Sequence, residues 1–337
     1  MEQIYGFSGL EKVRYLNNLR VHHRNLERVA DRMIEFLHPH NDVSIISLSG
    51  VSGAGKTTLV KELVPALLES DDFGYPGGIF FVEAPATIGR PMEVSALYDN
   101  VIWLSREVMD EKKYGVSEMD DRVLMVPRRD ARKVDVRRRE MLHVLRMRKV
   151  LALAIDEAFH FFRMGNLHAT LDTIKSLAKD DGPKIILISG FEMIKAVTGY
   201  AQVQLRSMDL YLPRYGAISG YPAKAKKKEI ESYEQKEMKL YGEILQTMEG
   251  KWPWPDAPKF VGNLNHFYDN CLGNMRMTKK RSEAILQLQN RNNGKWDDGF
   301  IEDTRLSLVK IARIKEEFEE GEMKVRGFDD GHLAAEV

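Results

Sequence analysis

The chain has one cysteine, Cys271, among its 337 residues, so no internal disulfide framework is possible and a reducing compartment is expected. No apolar run approaches the roughly 18 residues of a membrane-spanning helix. Met1 to Gly9 lack the charged-then-apolar pattern of a leader, which gives the expectation of a cytoplasmic protein with no membrane partner. Histidine and cysteine do not cluster at metal-ligand spacing, so no zinc site is expected, and His160 reads as a packed helix residue. Internal repeats and low-complexity linkers are also missing. Net charge is zero, with 50 Lys plus Arg against 50 Asp plus Glu, so bulk electrostatics select no class of partner. What is present is ordinary for a globular chain: 43% hydrophobic and 30% charged residues, in a length that holds one large or two modest domains.

Neutrality hides a polarised distribution. Between Arg122 and Lys149, eleven basic side chains stand against three acids, whereas from Ile314 to the end three basic residues stand among eight acidic ones. In the basic segment Arg137, Arg138 and Arg139 are candidate contacts to the phosphates of double-stranded DNA. Lys226, in the lysine stretch Lys224 to Lys228, is another. The plainer reading of the first group is a helix with a solvated basic face, because Met141, Leu142 and Leu145 look like its core stripe. The acidic end reads as a partner-docking segment or a solvating tail.

The most informative stretch runs from an apolar strand, Val43 to Leu48, through G-x-x-x-x-G-K-T into a helix from Lys56 to Leu68. Gly50, Gly55, Lys56 and Thr57 fill the four fixed positions of a phosphate-binding loop. Glycine lets the backbone close around a polyphosphate with its N–H groups, so Ser52, Gly53, Ala54 and Thr58 are expected to line ATP alongside those four. The helix opening at Lys56 aims its positive end at the phosphates. Lys56 would reach the β- and γ-phosphates, and Thr57 would offer its hydroxyl to Mg²⁺.

A second apolar run, Val150 to Ile155, delivers Asp156 and Glu157 at a strand's carboxyl end, where open α/β sheets hold ligands. Asp156 is the expected Mg²⁺ partner of Thr57, and Glu157 the group that orients and deprotonates the attacking water. The pair suits a Mg²⁺-dependent ATPase, since a small-molecule kinase needs no second carboxylate. Lys184 to Ile188 is a further buried strand whose tip, Ser189, can hydrogen-bond the water or the γ-phosphate. Arg206, ahead of a short strand at Asp209 to Leu212, is the expected arginine acting in a neighbouring subunit's site, with Arg214 as its competitor. Arg276, which follows Gly273 at a helix start, is placed to reach back to the phosphates and report nucleotide state to a lid.

Helical spacing over residues 8–38, a turn at Tyr75 to Gly78, a strand at Ile79 to Val82 and a helix over Pro91 to Met109 complete the first half. Strand–helix alternation to residue 213 predicts an α/β core with a parallel five-stranded sheet flanked by helices. Beyond Gly220 the pattern is helical, with a helix over Glu229 to Met248 and a Trp/Pro turn at Trp252 to Pro255. The expected division is an N-terminal helical segment (1–41), a nucleotide-binding core (42–228), an α-helical lid (229–320) and an acidic tail (321–337).

With these elements in this order, the chain resembles the AAA+ P-loop ATPases. Residues Ile155 to Tyr215 resemble the TnsC/TniB family of transposition ATPases in particular. Asp156-Glu157 with His160, the strand end Ser189-Gly190, Gln204-Leu205-Arg206-Ser207 and Leu212-Pro213-Arg214-Tyr215 carry that likeness. Two departures stand out: Ser189-Gly190-Phe191 where relatives often have Gly-Thr, and one arginine at Arg206 where many have two adjacent. The resemblance implies a homo-oligomeric ring or helical filament that forms on double-stranded DNA with ATP bound. It recruits a transposase, works with target-selection proteins, and disassembles on hydrolysis. A helicase loader, or a nucleotide-switched signalling or defence ATPase that does not bind DNA, are the alternatives.

Overall fold

The computed structural model describes residues 2–70, 78–84, 94–105, 114–119, 122–127, 134–161, 167–178, 182–194, 205–221 and 226–325. The chain divides into two compact units: Ala30–Ser49 with Thr57–Leu210, and Met1–Val29 with Gly50–Lys56 and Tyr211–Val337. The turn expected at Tyr75 to Gly77 lies outside the described residues, as do Gln204, Lys224 and the chain from residue 326 onward.

The first unit is built on a five-stranded sheet. Its strands are β1 (Ile45–Ser49), β2 (Ile79–Glu83), β5 (Ala152–Asp156), β6 (Lys184–Ile188) and β7 (Ser207–Tyr211), in the order β2-β5-β6-β1-β7. The register is parallel, with Ile79 opposite Ala152, Ala152 opposite Lys184 and Ile45 opposite Ile185. Every residue of β1 is buried, as strands covered on both faces require. The expected strand at Asp209 to Leu212 lies slightly earlier, and the one at Ile79 ends at Glu83.

Helices α6 (Val94–Leu104), α7 (Val134–Met147) and α8 (Leu167–Leu177) supply Leu97, Val101, Met141, Leu145, Leu171 and Ile174 to a core shared with Leu153, Ile155, Ile185 and Leu187. The helical run after the loop is α4 (Lys56–Thr58), a π turn (Leu59–Leu63) and α5 (Val64–Ser70). An antiparallel hairpin, β3 (Tyr114–Met119) with β4 (Arg122–Pro127), was not expected from the sequence. It places Arg122 of the basic segment in a strand.

The second unit is helical. It holds α1 (Glu2–Tyr5), α2 (Gly9–Asn18), the start of α3 (Arg24–Leu37), then α9 (Lys227–Gly250), α10 (Leu264–Cys271), α11 (Met275–Arg291), α12 (Gly299–Asp303) and α13 (Leu308–Val325). Leu16 of α2 is buried in one core with Tyr241, Leu245, Trp252, Phe260, Phe267 and Ile285. A capping box between Ser8 and Glu11 starts α2. Lys12 is fully buried, which is tolerable because its Nζ donates to the carbonyls of Tyr5 (2.6 Å) and Phe7 and lies 4.1 Å from the centre of the Trp254 ring. Asn290 Nδ2 donates to the Gly9 carbonyl at 3.1 Å. The first helices thus belong energetically with elements that follow more than two hundred residues later.

His23 and Tyr215 form a buried pair in this unit, with Tyr215 Oη 3.0 Å from His23 Nδ1. Burial, reinforced by His22, pushes the His23 pKa down to about 4. The unfolded chain takes up this proton near its ordinary 6.5, so between those values the unfolded state carries the extra proton. The pair's contribution is complete above about pH 6.5 and falls as pH drops towards 4, a change of about 3 kcal/mol. Urea melts of the wild type across pH 4–7 are expected to show this slope, and His23→Gln is expected to flatten it. An unchanged slope in the variant would remove His23 as its origin.

Candidate nucleotide site

The loop Gly50–Lys56 lies in the helical unit, and three of its features match phosphate cradling. Gly53 and Gly55 take φ of +83° and +109°, a region that L side chains rarely adopt. A Cβ on Gly53 would also collide with Cβ of Arg276, so the position is closed to larger residues twice over. Lys56 Nζ donates to the carbonyls of Gly50 (2.8 Å) and Val51 (3.0 Å), which folds the ammonium back over its own loop.

The start of α11 is joined to this loop. Arg276 N donates to the Gly53 carbonyl at 3.1 Å, and Arg276 Nη1 lies 3.3 Å from Ser52 Oγ. Asn274 was not singled out from the sequence, yet it makes the tighter link. Its Nδ2 donates to the Ser52 carbonyl at 3.0 Å, while its Oδ1 caps α11 by accepting from Met277 N at 3.1 Å. Asn274 is buried, so both halves of its amide are committed. The signal was available, since an asparagine just before a helical run is the usual N-cap.

The carboxylates sit in the sheet unit. Thr57 Oγ1 donates to Asp156 Oδ2 at 2.7 Å, across 99 positions of sequence. Asp156 Oδ1 accepts the backbone N–H of Glu157 at 2.9 Å. Asp156 ends β5, and Glu157 is exposed with a left-handed φ of +51°. A non-glycine residue held there stores about 1–3 kcal/mol, a feature common where side-chain aim matters. Thr57 and Asp156 together offer two hard oxygen donors, the set Mg²⁺ takes beside water and phosphate oxygens. Among the described residues no group of three or more His, Cys, Asp or Glu side chains is placed to hold a metal ion.

Ser189 follows β6 and is buried; its N–H donates to the Leu48 carbonyl and its Oγ to the Gly190 carbonyl at 2.9 Å. Its hydroxyl is thus occupied by its own turn. Arg206 is exposed, and its carbonyl accepts from Ser44 N (3.0 Å) and Ile45 N (3.1 Å), at the amino end of β1. That is the end of the sheet opposite to the Asp156 carboxylate, so Arg206 does not serve that carboxylate within one chain. A cavity of about 740 Å³ beside it is lined by Asn41, Asp42, Lys184, Leu205 and Arg206, among others. Arg214 is consumed elsewhere. It is buried, with Nε 2.7 Å and Nη2 3.1 Å from the two oxygens of Glu322, and Nη1 donates to the Leu272 carbonyl at 3.0 Å. This geometry takes Arg214 out of the competition for a neighbour's phosphates.

Of the residues expected at DNA, Arg137 pairs with Asp99 at 2.7 Å, and Arg138 Nη2 donates to the carbonyl (2.9 Å) and hydroxyl (3.2 Å) of Ser176. Arg139 and Lys226 are exposed. Arg128, Arg129, Arg132 and Lys133 of the same basic stretch lie outside the described residues. His160 sits half-buried in the short turn of helix after Glu157. No helix among the described residues is long and apolar enough to cross a membrane.

Residues 40–191 match the family model described as an AAA domain. No curated protein matches the chain. Among solved structures, the ORC2 protein of Aeropyrum pernix in its ADP form is similar at 12% identity, over 85% of this chain and 68% of that one, with a TM-score of 0.54. The ORC1 protein of the same organism, in complex with DNA, is similar at 14% identity over 90% and 67%, again with a TM-score of 0.54. Identities this low speak to fold. The protein has the AAA+ P-loop NTPase fold, with residues 40–191 matching the AAA-domain model and a helical C-terminal region.

Proposed function

We propose that the protein is a Mg²⁺-dependent ATPase of the TnsC/TniB type, which assembles on double-stranded DNA with ATP bound. In this reading it recruits a transposase, with target-selection proteins, and disassembles on hydrolysis. The observation that carries the hydrolytic part is the 2.7 Å contact between Thr57 and Asp156, with Glu157 next in the chain. Thr57 and Asp156 hold Mg²⁺, which when bound neutralises charge on the phosphates. Lys56 exchanges its two carbonyl contacts for β- and γ-phosphate oxygens. Glu157 orients the attacking water and accepts its proton. Ser189 reaches the γ-phosphate or water only after its bond to Gly190 is given up, so it acts as a sensor rather than a fixed ligand.

Arg206 completes the site of a neighbouring copy, where its guanidinium offsets charge developing on the γ-phosphate. Its exposure at the far end of the sheet from Asp156 supports this, and it makes assembly depend on nucleotide. Arg276 and Asn274 carry the state of the loop into α11. Arg139 and Lys226 meet DNA phosphates, with Arg137 and Arg138 contributing mainly long-range potential from their internal pairs.

The engagement of Arg137 with Asp99 favours one second reading, a nucleotide switch that needs no DNA. Electron microscopy with a non-hydrolysable ATP analogue separates the two. Assemblies are expected with duplex DNA at about 50 mM salt and are expected to be lost towards 200 mM. Monomers with both ligands present contradict the DNA reading, and equal assembly without DNA supports the switch.

A further inference from the structure

We propose that the solvent-facing side of α13 is a homotypic contact site, at which the helix pairs antiparallel with α13 of a second copy. The helix is anchored on one side by Phe318, Gly321, Glu322 and Val325, all buried, with Glu322 also accepting from Ile218 N at 2.9 Å. The other side is uncovered among the described residues. Leu308, Val309 and Met323 are 68%, 82% and 55% exposed. Val309 and Met323 are four turns apart and so lie close to one stripe.

The charges along α13 are segregated by sign along its length. From Thr304 to Lys315 there are Arg305, Lys310, Arg313 and Lys315 and no acid; Glu316, Glu317, Glu319 and Glu320 follow at once. A helix favours anions near its amino end and cations near its carboxyl end, each worth about 0.3–1 kcal/mol. Here the first turn carries Lys310 and no acid, whereas Lys324 in the last turn is favourably placed. One internal pair, Lys315 with Glu319 at 3.7 Å, offsets little because both side chains are exposed to water.

Ligands of a single charge sign match only half of this pattern. Duplex DNA fits the basic turns but meets four carboxylates in the next turn and a half, and an acidic segment meets the mirror problem. A second copy of the same helix, turned end for end, places basic turns over acidic turns twice about a two-fold axis. It also opposes the two helix dipoles and brings the apolar end at Val309 near the apolar end at Met323 of the second copy. A helix about 27 Å long buries less than the ~1,200 Å² of a stable interface, so the contact is weak and reversible. It needs neither nucleotide nor DNA, which separates it from the ATP-driven assembly.

Sedimentation equilibrium of the full chain, without nucleotide or DNA, tests this. The wild type is expected to dimerise with concentration over about 1–100 μM and to weaken with salt. Lys310→Glu with Arg313→Glu, and separately Glu316→Lys with Glu320→Lys, are each expected to weaken dimerisation at least about tenfold. An equimolar mixture of the two variants is expected to restore it, because an acidic helix then meets a basic one. The first variant puts an acid in place of Lys310 in the first turn, which the helix dipole favours, so its melting temperature is not expected to fall, which keeps misfolding from mimicking the result. A wild type that stays monomeric overturns the proposal, as does a mixture that fails to associate. So does loss of duplex DNA affinity in the first variant while self-association is unchanged, which would assign the surface to nucleic acid.

Discussion

Glu157→Gln is expected to lower ATP turnover by about two to four orders of magnitude while leaving ATP binding and ATP-dependent association in place. Glutamine matches the side chain in size and keeps the backbone N–H that donates to Asp156 Oδ1. The contact between Asp156 and Thr57 is therefore preserved, and with it the oxygen pair assigned to Mg²⁺. What disappears is the carboxylate proposed to take a proton from water. The left-handed backbone at Glu157 is fixed on both sides, since its carbonyl also accepts from His160 N at 3.0 Å. Phosphate release, measured beside binding of a fluorescent ATP analogue, separates the two effects. Loss of nucleotide binding in this variant would sink the role given to Glu157.

The second large effect is on stability. Arg214→Ala is expected to destabilise the protein by about 3–5 kcal/mol, because Glu322 is left as a buried and uncompensated carboxylate. Burial already pushes the Glu322 pKa up, with Arg214 the main influence holding it down. For a unit of this size the loss corresponds to a fall in melting temperature of roughly 10 °C or more. The double change Arg214→Met with Glu322→Leu is expected to recover most of it, since no buried charge remains. Calorimetry of the two variants checks the claim; equal losses in both would mean that packing, rather than charge, is what Arg214 supplies.

These two residues also mark where sequence reading succeeds and stops. The position of Asp156 and Glu157 at the end of β5 was legible because a continuous apolar run is the mark of a buried parallel strand. The loop was legible because its chemistry is confined to eight adjacent residues. Arg214 was not: its partner Glu322 lies 108 positions away, and no local pattern records such a pairing. The same holds for Arg137 and Arg138, whose partners Asp99 and Ser176 each lie 38 positions off and turn two apparent surface cations into internal contacts. Leu16 lay in the stretch of helical spacing over residues 8–38, and nothing local showed that its apolar surroundings include Trp252 and Ile285. The second strand of the hairpin at Tyr114–Pro127 had a local signal, the apolar run Val123 to Val126 after Asp120-Asp121.

In the proposed mechanism one catalytic site is built from two copies, with Glu157 from one and Arg206 from the next. Mixing Glu157→Gln with Arg206→Ala and following phosphate release tests it most directly. Each variant alone is expected to be nearly inactive. In an equimolar mixture, random assembly leaves about a quarter of the interfaces with both groups intact, so turnover is expected to recover towards about a quarter of the wild-type rate. A mixture no faster than the sum of its two residual activities would contradict a shared site and return Arg206 to the surface of a single subunit.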